Sequence, residues 1–337
     1  MKRWLLGSVL IAGVALAVPS LTHVSASGTT TIRLASLAPA GSSWDKVFRA
    51  WGNTLKKETG GAVKFQFFAG GVAGDERDVL RKMKAGQMDA GLMTIVGLGQ
   101  VVRSLTLLNT PIFDSYAQMN HVREQLNGEY AGLFAKEGYK LLGWSDAGFA
   151  RQFAKKPIMT PADYKTVRPW VPRDEPGLQE MMKVVGANGV ALGIPEVFPA
   201  LQTGMVDTVT VSAIAAVALQ WFRYLPYMSS NAPMAIIGGT IVREEVVKSL
   251  SPDHQKILLE TAKKAHAVAL KTVAKEDEKA YKTLVGRGIK QYDPMATPAQ
   301  EKAWKDLTDT VVKRLTGRLW SESLYKKVLA AKAKAPK

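Results

Sequence analysis

Two stretches decide the reading: Leu80-Arg-Lys-Met-Lys-Ala-Gly-Gln-Met-Asp89-Ala-Gly-Leu-Met93 and Phe198-Pro-Ala-Leu-Gln-Thr-Gly-Met-Val-Asp207-Thr-Val-Thr-Val211. Each joins a helix-like segment to a Gly, then two residues, an Asp and an apolar run. The Gly suits the left-handed residue that closes a helix. The apolar run suits a short strand buried on both faces. One helix-Gly-Asp-strand device used twice implies two α/β domains of related build, with a cleft between them that binds a ligand.

Working outward, 337 residues are enough for two domains with their own cores. A composition of 47% hydrophobic and 22% charged residues is ordinary for a globular protein. The chain has no cysteine, which excludes disulfides, a thiolate nucleophile and Cys-ligated zinc. Met1-Lys-Arg3, an apolar run over 4–18 and the small residues of Val24-Ser-Ala26 read as a signal segment cleaved after Ala26. That run is short for a membrane span of about 20 residues, and export without cysteine fits a bacterial periplasm. The net charge of +16 raises nucleic acid as a partner, but the basic residues are spread along the chain. Their densest cluster is the 321–337 tail, which reads as frayed and solvated. No basic-aromatic nucleic-acid motif occurs.

The pass from the N-terminus gives a strand at 31–37, a helix at 44–59 with an apolar face, and a strand at 63–68. A Gly-rich turn, a helix ending at Gly86 and a strand at 90–96 follow. This β-α-β-α-β order predicts a mostly parallel sheet flanked by helices. A helix over 114–136 and a strand at 139–144 complete the first domain. The chain then crosses near Gly148-Phe-Ala-Arg151 and returns with a strand at 233–241. Ser251-Pro252 starts a helix running to about Val285, long enough to span both domains as a strut. Domain I is expected at 27–149 plus about 233–262, and domain II at 150–232 plus about 290–320. The long helix occupies 252–287, and a further helix 298–315.

Catalytic signatures are missing. Gly97-Leu-Gly99 is half of a dinucleotide fingerprint without its third Gly, and Gly70-Gly71 with Gly74 reads as a structural turn. His121, His254 and His266 read as surface residues of helices, with no metal-ligand spacing. Lys275-Glu-Asp-Glu-Lys279 reads as a solvated helix face. Arg151 stands out at the crossing, either as a fork for an acidic or carbonyl-bearing ligand or as a hinge salt bridge. Trp170, held between Pro169 and Pro172, faces either core or cleft.

Phe68-Ala-Gly-Gly-Val-Ala-Gly-Asp-Glu76, Lys84-Ala-Gly-Gln-Met-Asp89, Pro161-Ala-Asp-Tyr-Lys165 and Glu196-Val-Phe-Pro-Ala-Leu-Gln-Thr-Gly-Met-Val-Asp207 occur in that order. Together they resemble the DctP-type solute-binding subunits of tripartite ATP-independent periplasmic (TRAP) transporters, over about 31–315. The resemblance implies a two-domain clamshell that is no enzyme, uses no cofactor or metal, and hands a small-molecule ligand to a membrane permease. A ligand-binding module serving a sensor or trafficking partner is the alternative. The oligomeric state is left open. Arg151 matches one family arginine. The second, which pairs with a substrate carboxylate, falls on Trp170, with Arg168 two residues earlier as its possible substitute. The family's polar position after the second Asp falls on Val211, its aromatic position near Ile194, and first-domain positions near Leu37 and Thr94. Trp44, Asp75 and Phe149 complete the candidate set. A Trp in place of an Arg fork predicts a ligand less polar than a C4-dicarboxylate, hydrophobic or lipid-like, with Arg151 holding any single polar end.

Overall fold

The computed structural model describes residues 28–335, so the expected signal segment lies outside the described residues. The first pass through domain I comprises β1 (Thr30–Ser36), α1 (Ser43–Glu58), β2 (Val63–Phe68), α2 (Glu76–Lys84), β3 (Ala90–Thr94) and α3 (Ile95–Val101). A 3-10 segment (Arg103–Asn109), α4 (Tyr116–Gln125), α5 (Asn127–Lys136) and β4 (Tyr139–Trp144) follow. Domain II opens with β5 (Phe149–Ala154), β6 (Trp170–Pro172), α6 (Pro176–Val185), β7 (Val190–Leu192) and α7 (Ile194–Thr203). Next come β8 (Thr208–Ser212), α8 (Ala213–Ala218) and β9 (Tyr227–Ser229). The chain returns through β10 (Met234–Ala235), β11 (Gly238–Arg243), α9 (Glu244–Lys248) and α10 (Pro252–Gly286). It ends in β12 (Lys290–Tyr292), α11 (Pro298–Leu315) and α12 (Glu322–Ala333).

The first sheet has the order β2-β1-β3-β11-β4. The pairs of β1 with β2 and β3 are parallel, whereas β11 runs against β3 and β4. In the second, β5 lies between antiparallel β8 on one edge and β9 and β10 on the other. The parallel pair β6–β7 joins it through a bridge between Pro169 and Thr208. The antiparallel strands β5 and β11 are those that follow the two crossings between domains.

The repeated device is visible in atoms. Gly86 and Gly204 both adopt left-handed conformations, with φ of 71° and 72°. Asp89 then accepts the backbone N–H of Arg33 (2.8 Å) and its Nε (2.8 Å), while its own N–H donates to the Arg33 carbonyl. Asp207 does the same with Arg168: it accepts the N–H at 2.7 Å, pairs with Nε at 3.3 Å, and donates to the Arg168 carbonyl. In each domain this Asp staples its own strand to the strand beside it.

The strut is α10, 35 residues capped by Ser251, whose side chain accepts the His254 N–H. At 1.5 Å per residue it is about 50 Å long. It packs on α1 and β4 in domain I and on α8 in domain II. One core cluster fills the α1–α10 side of domain I, with Phe48, Trp51, Leu55 and Leu258. Another fills the α7–α8 side of domain II, with Val209, Trp221, Met228 and Leu284. A third, on the opposite faces, is continuous across both domains and includes Leu98, Tyr130, Met182, Leu315 and Trp320.

Four expectations are corrected. The 114–136 helix is two helices, broken at Leu126. His266 is buried rather than on the surface: its ring nitrogens meet the Ala262 carbonyl (2.7 Å) and the Thr240 hydroxyl (2.9 Å). Asp277 is also buried, although its neighbours in the charged run are not. The 321–337 tail is not frayed over its first part, because α12 buries Leu324 and Val328 one helical turn apart. Its basic residues hold domain I, Lys327 on Glu129 and Lys332 on Asp114. The lysine-rich composition had hidden that apolar stripe.

Candidate functional site

The crossing into domain II is set by Gly148, whose φ of 97° is closed to most side chains. A Cβ there would lie 2.6 Å from Ser212 Cβ and 2.8 Å from Asp277 Oδ1. Asp277 explains the close approach. Its Oδ2 accepts the Phe149 N–H (3.1 Å) and its Oδ1 the Ile214 N–H (2.9 Å), so one buried carboxylate ties α10 to β5 and to the start of α8. Burial pushes its pKa up from the ordinary aspartate value, against the pull of those two N–H donors.

Two residues further on, Arg151 lies opposite Val211 in the β5–β8 register. Strand alternation sends Arg151 and Phe153 to one face and Ala150 and Gln152 to the other. The Arg151 guanidinium stacks 4.1 Å over the Tyr281 ring of α10 and donates to the carbonyls of Ser229 (3.4 Å) and Ser230. It is buried and makes no salt bridge among the described residues, and its Nε has no hydrogen-bond partner there. Burial lowers its pKa from the ordinary arginine value, partly offset by Asp277, Tyr281 and Glu278. A buried, unpaired guanidinium is a costly feature that an anion would relieve.

The other candidates divide among several places. Trp170 is buried against Trp221 (centroids 5.2 Å apart, edge-on), and its indole N–H donates to the Leu192 carbonyl at 3.0 Å. It belongs to the same cluster as Val211, with Ile194 packed against it. Arg168 is more than half exposed and committed to Asp207, as Arg33 is to Asp89. It is the second copy of that structural staple. Trp44 is buried in the domain I core and donates to the Asp146 carbonyl (3.2 Å). Thr94 caps α3 and donates to the buried carboxylate of Glu76 (2.9 Å), which also accepts the Thr94 and Gly97 N–H groups. Burial raises the Glu76 pKa to about 7. The Gly97-Leu-Gly99 pair thus opens a helix beside a carboxylate, with no place for a phosphate.

Leu37 and Asp75 meet domain II. A Cβ at Gly71 would lie 3.4 Å from Leu37 Cδ2 and 3.5 Å from Pro195 Cγ, so the backbone at Gly71 fills the space between the two domains. Arg173 lies 3.6 Å from Asp75 of domain I and 2.6 Å from Glu196 of domain II, and Arg77 lies 3.9 Å from Asp174. These contacts close the lips of the clamshell. Sequence reasoning missed Arg173, which directly follows Pro172, and missed Asp277 and Tyr281, which sit inside a helix that reads as solvated.

Phe149 faces elsewhere. It packs on Tyr116 (5.1 Å) and lines a cavity of about 730 Å3 between the 108–116 loop of domain I and α6 and α11 of domain II. Ala150 and Gln152 also line this cavity, whereas Arg151, Trp170, Ile194 and Val211 do not. Among the described residues no group of acidic or histidine side chains is placed to hold a metal ion, and no helix is long and apolar enough to cross a membrane.

Comparison with known proteins agrees with this architecture. Residues 34–318 match the model of DctP, the bacterial extracellular solute-binding protein family 7. The chain is 27% identical over 296 residues to the uncharacterized protein YiiZ of Salmonella typhimurium, covering 83% of this chain and 86% of that one. Its fold superposes on DctP7, a Bordetella pertussis extracytoplasmic solute receptor binding pyroglutamic acid, with a TM-score of 0.83 at 19% identity over 91% of this chain and all of that one. It superposes on the sugar acid binding protein DctPAm of Advenella mimigardefordensis, solved with galactonate, with a TM-score of 0.84 at 17% identity, covering 91% and 99% of the two chains.

Proposed function

The chain belongs to the DctP family of bacterial extracellular solute-binding proteins, and we propose that it captures a small organic acid bearing one carboxylate between its two domains and delivers it to a TRAP-type membrane permease. The observation that carries this reading is Arg151, a buried guanidinium without a carboxylate partner among the described residues. An incoming carboxylate supplies the missing charge and a partner for Nε. Among the described residues the positions expected to supply a second cation for a dicarboxylate do not offer a free one: Arg168 is stapled to Asp207, position 170 is an indole committed to the domain II core, and Arg173 at the lips is paired with Glu196. A ligand less charged than a C4-dicarboxylate follows. The hydrophobic or lipid-like ligand expected from Trp170 draws no support from its packing, since the ring is spent on Trp221 and Leu192. Pyroglutamate and galactonate, bound by two proteins of the same fold, each carry one carboxylate and support the monoacid reading.

Titration calorimetry of the mature chain against pyroglutamate, galactonate and succinate tests it. One of the monocarboxylates binds and succinate binds more weakly, while Arg151→Met abolishes binding and stays folded. At a ligand concentration 100 times Kd, stability rises by about 2.7 kcal/mol. Undiminished acid binding by Arg151→Met, or preferential binding of succinate, would refute the reading.

A further inference from the structure

We propose that the cavity of about 730 Å3 between the 108–116 loop, α6 and α11 is a second small-molecule site, for an uncharged amphiphile whose polar end carries hydrogen-bond acceptors. This inference does not rest on the role proposed for Arg151. Within β5, Ala150 and Gln152 line the cavity and Arg151 points to the other face, although Phe149 at the first position of the strand and Ser229, whose carbonyl Arg151 binds, also reach the cavity. The size falls within the range of small-molecule pockets, about 300–1,000 Å3.

The walls specify the chemistry. One side is apolar, built from Leu178 and Met181 of α6, Leu307 and Val311 of α11, Phe113 and Trp320. Near the crossing strands are two primary amides with unused donors. Asn109 accepts the Ile237 N–H (3.2 Å) through its oxygen and Asn231 makes no side-chain hydrogen bond, so the NH2 group of each has no partner among the described residues. Gln152 is committed, accepting the Tyr292 hydroxyl (3.1 Å) and donating toward Tyr164. Two free donors at one end of an apolar cavity call for acceptor oxygens. The charges lining the cavity are already committed. Lys305 holds Asp309 (2.5 Å), and Lys332 holds the Ile112 carbonyl (2.6 Å) and Asp114 (3.1 Å). Glu175, buried at the start of α6, accepts the Gly177 and Leu178 N–H groups, and Glu301 is exposed to solvent. A carboxylate head would meet the buried Glu175 without a free cation, which is repulsive. An ammonium head brings donors to donors. A neutral amide, ester or polyol head satisfies the two NH2 groups and leaves its alkyl or aromatic body to the apolar wall.

The test uses one chain length with three heads: octanamide, octanoate and octylamine, titrated into the mature protein by calorimetry with native mass spectrometry for stoichiometry. Octanamide binds one to one, roughly tenfold or more tighter than the other two, as expected for two hydrogen bonds gained without a buried charge. Met181→Trp and Leu178→Trp, at half-buried lining positions, each fill the cavity and weaken octanamide by a similar factor while organic-acid binding persists. Arg151→Met leaves octanamide binding unchanged. Equal affinity for the three heads, or octanamide binding that survives both Trp variants, overturns the proposal. Failure of organic acids to bind bears only on the role of Arg151.

Discussion

Replacing Asp277 with alanine removes a side chain that ties the strut helix to both domain II elements leaving the crossing. The loss leaves the Phe149 and Ile214 N–H groups, accepted at 3.1 and 2.9 Å in the native protein, without acceptors in a buried site. A buried donor left unpaired costs about 1–3 kcal/mol, so two cost roughly 2–6 kcal/mol. Against this, the carboxylate's own burial is unfavourable, as its upward-shifted pKa shows, and that cost disappears with it. The net expectation is a destabilisation of about 3 kcal/mol. With a urea slope of about 3 kcal/mol per molar, the midpoint falls by about 1 M. Asp277→Asn keeps one acceptor and loses about half as much. Equilibrium urea unfolding at pH 7, followed by far-ultraviolet circular dichroism and tryptophan fluorescence, measures both variants. An alanine variant within about 0.5 kcal/mol of the native protein would show that the two N–H groups find other partners, and would refute the pin.

The remaining predictions concern pH, backbone and closure. His266 has a folded pKa lowered from 6.5 to about 4 by burial, so between these values the unfolded chain binds a proton that the folded chain refuses. Stability is therefore full above pH 6.5 and falls by about 3 kcal/mol as pH drops to about 4. Glu76, raised from 4.5 to about 7, has the opposite sign, losing stability as pH rises through that window. Unfolding free energies from pH 4 to 8 should show His266→Gln losing the first slope and retaining the second; an unchanged slope counts against a neutral buried imidazole. Gly148→Ala combines a positive φ with contacts of 2.6–2.8 Å and destabilises by more than about 2 kcal/mol; a smaller loss in thermal unfolding means that the crossing can relax. Arg173→Ala breaks the lip between Asp75 and Glu196, which is worth about 1 kcal/mol. Ligand affinity drops about fivefold and small-angle scattering shows a larger radius of gyration, whereas unaltered scattering argues against a role in closure.

Local rules carried much of the architecture. Helix ends, strand runs and the long strut follow from residues near one another in sequence: a Ser251-Pro252 cap, a Gly at φ near +70°, an apolar periodicity. The repeated helix-Gly-Asp-strand device is likewise a local pattern, and its two copies use the Asp in the same way against Arg33 and Arg168. Arg151 stood out because a cation beside a glycine crossing is unusual in a short stretch. What local patterns could not express was burial decided by distant partners. Asp277 and His266 look like ordinary residues of a charged helix; only the approach of β5, α8 and β11 to one side of α10 takes them out of water.

The sequence by itself determined that this is an α/β chain of two domains spanned by one helix, because periodicity, caps and glycine punctuation act over a few residues. The tertiary structure decided which side chains meet. It paired Arg168 with Asp207, packed Trp170 on Trp221, and left Arg151 buried without a carboxylate partner among the described residues. It also separated Arg151 from the cavity behind Gln152. Those outcomes depend on strand register and on which face of a sheet each neighbouring helix covers, and long-range packing fixes both, where the spacing of residues along the chain carries no information about charge compensation.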